Sequence, residues 1–175
     1  MQIEFEAKVL DIDVAGIQKK LEKLGANKEP GVFMRRWIFD NLPPSEDKEE
    51  WLRLRDDGKK VTLTYKHHRG CGVCDTEEIE VEVVDFEGTA EILSKFFKNR
   101  YYQENKRIVF KLKDIEFCID SWPKIPPYLE VESSSEKKVK EGLALLGLKS
   151  DSNPSVREIY FRYGVDLHSF KELKF

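Results

Sequence analysis

The N-terminal segment IEFEAKV alternates apolar and charged residues, which is the pattern of a β-strand with two different faces. Glu4, Glu6 and Lys8 fall on one face, and carboxylates two residues apart on a strand are separated by about 7 Å. Carboxylate oxygens are the ligands that hard divalent cations prefer, whereas an ammonium group attracts anions. This face is therefore either simply solvated or one wall of an ion-binding site.

Later segments show the same alternation, and the polar face of each carries charges of one sign. The acidic positions are Glu78, Glu80, Glu82, Asp120, Glu130 and Glu132, and the basic positions are Arg53, Arg55, Lys66 and Arg107. A solvated face normally mixes the two signs, because like charges side by side repel. An antiparallel sheet with one solvated face is the alternative interpretation, but the sorting by sign favours a face that binds ions.

The sequence pattern predicts about eight strands and four helices. The helices are expected over residues 13–25, 85–99, 134–148 and 153–164, where apolar residues recur at helical spacing behind capping residues. Asp57-Gly58 marks a tight hairpin turn between two alternating segments. Such short links favour antiparallel pairing, and eight strands suit the closure of a barrel.

Four amphipathic helices need an apolar surface to pack on, and the apolar faces of the strands supply one. We therefore expect an α+β fold, in which an eight-stranded antiparallel closed β-barrel has a charged lumen and the helices pack outside. A single domain is expected over residues 1–175, with the barrel and its helices extending to about residue 148 and a helical tail over 154–175.

A lumen lined by about a dozen charges would destabilise the fold, because an unpaired charge removed from water costs several kcal/mol. Hydration and a charged ligand would offset that cost. Clustered carboxylates suit a cation such as Mg²⁺, and clustered Arg and Lys residues suit phosphate oxygens. Both kinds of cluster in one cavity indicate a complex of a metal ion with a polyphosphate.

The motifs resemble one known family in their order along the chain. The segment EFEAK is similar to the N-terminal Glu-x-Glu-x-Lys signature of the CYTH family, the triphosphate tunnel metalloenzymes. The segments LRLR, LTYK, EEIEVEV, NKRIVF, CID and LEVE resemble its later strands, and the matches extend from residue 3 to residue 132. The helical tail resembles that of the cyclase-like branch of the family.

The resemblance implies a divalent-metal-dependent enzyme that acts on nucleoside triphosphate, thiamine triphosphate or tripolyphosphate. The reaction would be phosphohydrolysis, or the class IV adenylyl cyclase conversion of ATP to cyclic AMP and pyrophosphate. The implied ligands of Mg²⁺ or Mn²⁺ are Glu4, Glu6, Glu78, Glu80, Asp120, Glu130 and Glu132. The implied catalytic and substrate-binding residues are Lys8, Arg53, Arg55, Lys66 and Arg107. The chain departs from the family at Asn105, where a second basic residue is common.

The segment KHHRGCGVCD combines His67 and His68 with Cys71 and Cys74. No second pair of ligands follows at the spacing of a zinc finger, so we interpret this segment as a hairpin loop. Cys118 is expected to be a small lumen-side or packed residue rather than a nucleophile.

The composition and net charge of the chain limit the classes of protein to which it can belong. The 175 residues are 36% charged, but the net charge is only −3, so the excess of basic residues typical of nucleic-acid binders is missing. Neither an apolar segment long enough for a membrane helix nor a signal peptide is evident, and three cysteines without framework spacing suit the cytoplasm. A homodimer is compatible with the sequence. The other hypotheses are a non-catalytic nucleotide- or polyphosphate-binding barrel, and a barrel of paired charges with an outer surface for a protein partner.

Overall fold

The computed structural model describes residues 5–39, 49–68, 76–150 and 152–175. Its strands are β1 (Phe5–Val9), β2 (Asn27–Lys28), β3 (Val32–Phe39), β4 (Glu49–Asp56), β5 (Val61–His68), β6 (Thr76–Val83), β7 (Arg100–Leu112), β8 (Ile115–Ser121), β9 (Tyr128–Ser133) and β10 (Glu172–Leu173). Its helices are α1 (Val14–Lys23), α2 (Phe86–Phe96), α3 (Glu136–Leu145), α4 (Val156–Arg162) and a short 3-10 helix (Leu167–Ser169).

Eight of the strands form one curled antiparallel sheet in the order β1-β9-β8-β7-β3-β4-β5-β6. The short strands β2 and β10 both pair with β7. The expected α+β class, the eight main strands and the four helices are therefore confirmed. The predicted helical tail is helical over only part of its length, since α4 is followed by the 3-10 helix and β10.

The predicted closure of the barrel is wrong. Within the described residues β1 and β6 are the two edges of a half-barrel and do not pair with each other. The far edge of β1 is already occupied, because the backbone N–H of Lys8 donates to the carbonyl of Ser152 at 3.1 Å and the Ser150 hydroxyl donates to the carbonyl of Lys8 at 2.7 Å. These contacts satisfy backbone groups that a closing strand would otherwise bind.

The two faces of the curled sheet carry different kinds of side chain. We call concave the face that carries Lys8, Arg55 and Arg107, and convex the face that carries Ala7, Leu54 and Ile108. Helices α1 and α3 pack on the convex face of β1, β7, β8 and β9 through buried apolar side chains, among them Leu21, Phe110, Phe117, Leu129 and Leu143. Helix α2 packs on β3, β4 and β5, where Phe86 and Ala90 meet Phe39 and Leu54. The helices therefore cover most of the apolar face, as expected, although Ile79 and Val81 of β6 stay exposed, and they leave the charged face inside the curl.

Local sequence explains where the helices begin. Asp13, Asp85, Ser135 and Ser155 each accept a hydrogen bond at a helix N-terminus, and Ser155 forms a capping box with Glu158. A separate cluster joins α4 to one end of the half-barrel through Trp122, Tyr128, Ile159, Tyr160 and Leu173. None of the helices in the described part of the chain is both long and apolar enough to span a membrane.

Candidate functional site

Strands β1 and β9 bring the first and last acidic motifs together. Glu6 stands opposite Glu132 and Lys8 stands opposite Glu130 across the antiparallel pair, so all four side chains share the concave face. Residues directly opposite one another are the closest cross-strand neighbours. Motifs separated by more than 120 positions therefore form one end of the site.

Lys8 is buried and lies between carboxylates. Its Nζ is 2.9 Å from Glu6 Oε1 and 3.4 Å from Glu130 Oε2, and it also donates to the Asn153 side-chain oxygen. Burial by itself lowers the pKa of Lys8, but the charges of Glu130 and Glu6 outweigh burial and the net shift is upward. Lys8 therefore keeps its positive charge inside the curl.

Arg107 on β7 binds acidic residues of the next two strands in the sheet, β8 and β9. Its Nε donates to Asp120 Oδ1 at 2.9 Å, and its Nη2 donates both to Asp120 Oδ2 and to Glu130 Oε1, the latter at 2.8 Å. Burial favours a neutral Glu130, but the charges of Arg107 and Lys8 prevail and lower its pKa to about 2. Each oxygen of Glu130 thus binds a cation on a different strand.

The basic residues of β4 and β5 face the acidic residues of β6. Lys66 is paired with Glu78, and Arg53 and Arg55 place Nη2 atoms 3.6 and 3.8 Å from Glu80 Oε2. The Thr64 hydroxyl donates to the same Glu80 oxygen at 2.8 Å. Partial burial raises the pKa of Glu80, but the Thr64 hydrogen bond and the two arginines reverse this effect and the net shift is downward.

The charges follow a simple order across the concave face. Acidic residues dominate at β9 and β8, basic residues at β7, β3, β4 and β5, and acidic residues again at β6, while β1 contributes Glu6 and the buried Lys8. A band of cations therefore lies between two acidic edges. This arrangement suits a polyanion whose own charge is partly neutralised by cations at its ends.

Two residues of the site were missed by the sequence reasoning. Arg36 on β3 stands opposite Arg55 and is buried on the concave face, but its same-face neighbours Met34 and Ile38 are apolar, so alternation gave no signal. Asn153 follows the main sheet in sequence, yet its Nδ2 donates to Glu6 Oε1 at 2.8 Å. The Arg35-Arg36 pair, read together with the pairing of β3 and β4, was the available signal for Arg36.

The other predicted positions fall in three places. Glu4, Cys71 and Cys74 lie outside the described residues. His67 and His68 belong to β5, so the hairpin-loop interpretation is wrong for these two positions. His67 is on the convex side of β5, with ring nitrogens 3.8 Å from Glu50 and 3.7 Å from Glu77. Cys118 is packed as expected, and burial raises the pKa of its thiol.

A family model for the CYTH domain matches residues 2–155. The chain belongs to the CYTH family. Members of this family are metal-dependent triphosphatases or adenylyl cyclases. No curated protein matches the chain.

Solved structures share the CYTH fold of this chain at low sequence identity. PH1012 of Pyrococcus horikoshii OT3 has a TM-score of 0.71 at 23% identity, and covers 91% of this chain and 99% of its own. The "putative adenylate cyclase" of Vibrio parahaemolyticus has a TM-score of 0.68 at 12% identity, with 91% and 98% covered. The "putative adenylyl cyclase" HpAC1 of Hippeastrum, with a dominant triphosphatase activity, has a TM-score of 0.63 at 16% identity, with 94% and 97% covered.

The acidic residues meet part of the requirement for a CYTH metal site. Glu6 and Glu132 face each other across β1 and β9, and oxygen donors of this kind suit Mg²⁺ or Mn²⁺. Within the residues that the structure describes, no three acidic, His or Cys side chains are grouped closely enough to hold a metal. The pair is thus a fitting partial donor set, and Glu4, two positions before Glu6, is the next candidate in sequence.

Proposed function

We propose that this CYTH protein is a divalent-metal-dependent phosphohydrolase of triphosphates. The order of charges across the concave face supports this function best, because a central band of arginine and lysine residues between two acidic edges matches a polyphosphate carrying a metal ion. Water would attack the terminal phosphorus, the bond from that phosphorus to the bridging oxygen would break, and orthophosphate would leave together with the remaining diphosphate.

The basic residues would bind and orient the phosphate chain. These residues are Lys8, Arg53, Arg55, Lys66 and Arg107. Phosphoryl transfer depends mainly on positioning and on stabilising the charge that develops on the leaving group. Arg53 and Arg55 are held by Glu80 at 3.6 and 3.8 Å, and an incoming phosphate would take over these contacts.

The acidic residues would have two different roles. Glu6 and Glu132, together with Glu4, are the proposed metal ligands, with Glu78 and Glu80 assisting from the opposite edge. A bound Mg²⁺ or Mn²⁺ would neutralise phosphate charge and lower the pKa of a bound water molecule. Asp120 and Glu130, also candidate ligands from the sequence, accept hydrogen bonds from Arg107, and we propose that their main contribution is to hold that guanidinium in place.

A class IV adenylyl cyclase is the second candidate, and Trp51 favours it. Trp51 shares a face of β4 with Arg53, stands opposite Lys66 and is half-buried. An indole in this position could stack on a nucleobase while Lys66 binds phosphate. The ribose 3′-hydroxyl would then attack the α-phosphorus and release pyrophosphate.

Product analysis with two substrates separates these reactions. The purified chain is incubated with tripolyphosphate or ATP, with Mg²⁺ or Mn²⁺, and the products are resolved by chromatography. Tripolyphosphate has no ribose, so orthophosphate from it identifies a phosphohydrolase, whereas cyclic AMP from ATP identifies a cyclase. Binding of either compound without any product would leave the non-catalytic binding module and contradict the proposal.

Variants test the assignment of residues. Arg55→Ala should abolish nearly all turnover while the far-ultraviolet circular dichroism stays unchanged. Trp51→Ala should raise the KM for ATP and leave the KM for tripolyphosphate unchanged if the indole binds a base. Full activity of Arg55→Ala would contradict the proposed site.

The proposal also covers the ligand, the domain, the location and the oligomeric state. The partner is a small triphosphate, rather than a nucleic acid or a membrane, and one domain spans 1–175. A cytoplasmic location and a homodimer stay predictions.

A further inference from the structure

Arg36 is a buried cation that the predicted set of substrate-binding residues did not include. Its side chain points into the curl from β3 and the residue is only 8% exposed. The Nη2 atom donates to the Asn105 side-chain oxygen, and the guanidinium carbon lies 4.6 Å from the centre of the Trp122 ring. The Nε–H, in contrast, is buried and has no hydrogen-bond partner among the described residues.

The charge of Arg36 is poorly compensated. No carboxylate of the described ranges forms an ion pair with it, and both oxygens of nearby Asp120 accept hydrogen bonds from Arg107, with Asn105 also bonded to one of them. Burial, followed by repulsion from Arg53 and Arg55, lowers the pKa of Arg36 to about 9. An arginine still carries its charge at neutral pH, so the site holds a cation that would be more stable beside an anion.

A second unsatisfied group lies in the same line across the sheet. Arg36 stands opposite Arg55, and Arg55 stands opposite Thr62. Thr62 is 1% exposed, and its Oγ1 has no hydrogen-bond partner in the described part of the chain. Three residues in line on neighbouring strands span about 10 Å, so two buried groups able to donate hydrogen bonds flank a central arginine.

We propose that Arg36, Arg55 and Thr62 form an anion row, which binds a phosphate group of the substrate through Arg36 and the Thr62 hydroxyl. Asn105 is the positioning residue, because its side-chain oxygen accepts from Arg36 while its Nδ2 donates to Asp120 at 2.9 Å. A cationic side chain at position 105 would repel Arg36. Arg36 on β3 therefore supplies the positive charge that β7 lacks at Asn105. This inference rests on the proposed triphosphate substrate.

The test uses tripolyphosphate without metal, in the presence of a chelator. Calorimetric titration measures its affinity, and thermal unfolding measures the protein with and without it. Arg36→Met should lower the affinity at least tenfold. The same variant should unfold at an equal or higher temperature than wild type when tripolyphosphate is absent, because it removes an uncompensated buried charge.

Arg35→Met is the matched control on the same strand. Arg35 points to the other face and pairs with Asp56 at 3.0 Å and Glu87 at 2.8 Å, so this variant should keep the affinity for tripolyphosphate. Thr62→Val keeps the side-chain shape and should lower the affinity about threefold or more, which corresponds to the loss of one modest hydrogen bond.

The outcomes separate this inference from the proposed function. Wild-type affinity in Arg36→Met, or failure of that variant to fold, would overturn the anion row and assign Arg36 a structural role. Wild-type affinity in Thr62→Val would likewise exclude the Thr62 hydroxyl from the row. A wild-type protein that binds tripolyphosphate but never cleaves it would overturn the phosphohydrolase and leave the anion row standing. A wild type that does not bind tripolyphosphate in the chelator would overturn the anion row alone, because the proposed phosphohydrolase is decided by cleavage in Mg²⁺ or Mn²⁺.

Discussion

Glu130 connects three strands through a single carboxylate. One oxygen accepts from Arg107 on β7 at 2.8 Å, and the other lies 3.4 Å from Lys8 on β1. A buried ion pair contributes little in net terms, but removing one member leaves the other charge without compensation. Glu130 therefore matters both to stability and to the orientation of two proposed phosphate ligands.

We expect Glu130→Gln to remove a pH dependence of stability. The pKa of Glu130 is about 2 in the folded chain, against an ordinary value of 4.5. Its contribution is fully present above pH 4.5 and is lost as the pH falls through 2, so it amounts to about 3 kcal/mol at neutral pH. Urea unfolding in metal-free buffer measures the free energy of unfolding from pH 7 to pH 2. This free energy should fall with pH in wild type and fall less steeply in the variant.

The control is Asp114→Asn, which breaks the exposed pair between Asp114 and Lys138. Exposed pairs contribute little, so this variant should follow the wild-type curve. Equal slopes for wild type and Glu130→Gln would contradict the role assigned to Glu130.

Asn153 is expected to affect substrate binding from outside the main sheet. Its amide accepts from Lys8 and donates to Glu6 at 2.8 Å, so Asn153→Ala should leave Lys8 less well oriented. Loss of one such hydrogen bond costs about 1 kcal/mol, which corresponds to a rise of about fivefold in the KM for tripolyphosphate. Steady-state kinetics measure it, and Asn27→Ala, at an exposed position of β2, should leave the KM unchanged.

Local pattern predicted the charged residues wherever charge alternates with apolar side chains, as in LRLR and LEVE. It could not predict Arg36, whose neighbours on the same face are apolar, or Asn153, whose role depends on a chain segment returning to β1. Both depend on tertiary contacts, which no short segment encodes.

Helix α3 fits closely against the sheet at Gly142. A Cβ at this position would lie 2.9 Å from Ile115 Cγ2 and Val131 Cγ1, and 3.3 Å from Phe117 Cζ. These atoms belong to side chains on two packed strands, so they cannot easily move aside. The absence of a side chain on one helical residue therefore sets how near α3 approaches β8 and β9.

Gly142→Ala should destabilise the protein by about 1–2 kcal/mol. Helix propensity alone predicts a gain of about 1 kcal/mol, but overpacking typically costs 1–3 kcal/mol, the larger part of which we expect here. Urea unfolding measures the change. Ala144→Gly, at an exposed position of the same helix, calibrates the propensity term, and a stabilised Gly142→Ala would contradict the close approach.

Helix positions were predictable because caps and spacing are local. Asp13, Asp85 and Ser135 cap helices that lie within the expected ranges 13–25, 85–99 and 134–148. Strand β10 was not predictable, since two residues carry no periodicity and their pairing with β7 depends on the path of the whole C-terminal segment.

The concave face of the complete sheet presents a band of cations between two acidic edges. A ligand that binds only the folded chain stabilises it by mass action. Tripolyphosphate at about 100 times its dissociation constant should therefore add about 2.7 kcal/mol to the free energy of unfolding. Chemical denaturation with and without tripolyphosphate measures this gain.

Arg55→Ala should show much less of this stabilisation, because it removes the central cation of the band. Lys137→Ala, at an exposed position on helix α3, should keep all of it. Equal gains in wild type and Arg55→Ala would show that tripolyphosphate binds elsewhere.

Closure of the sheet was the one large feature that the pattern predicted wrongly. The number of strands can be predicted from alternation. Whether the two edge strands, β1 and β6, pair with each other depends on which chain segments cover their free edges. Here Ser150 and Ser152 bind the backbone of Lys8, and nothing in their own sequence distinguishes them from an ordinary loop.

The opposite faces of each strand have a consequence for evolution. In β4, Leu52 and Leu54 pack against α2 while Arg53 and Arg55 face the curl. Packing constrains Leu52 and Leu54, whereas the proposed phosphorylated ligand would constrain Arg53 and Arg55. If the proposed site is correct, recognition can change from one phosphorylated compound to another through substitutions at every second residue, while the intervening residues preserve the fold.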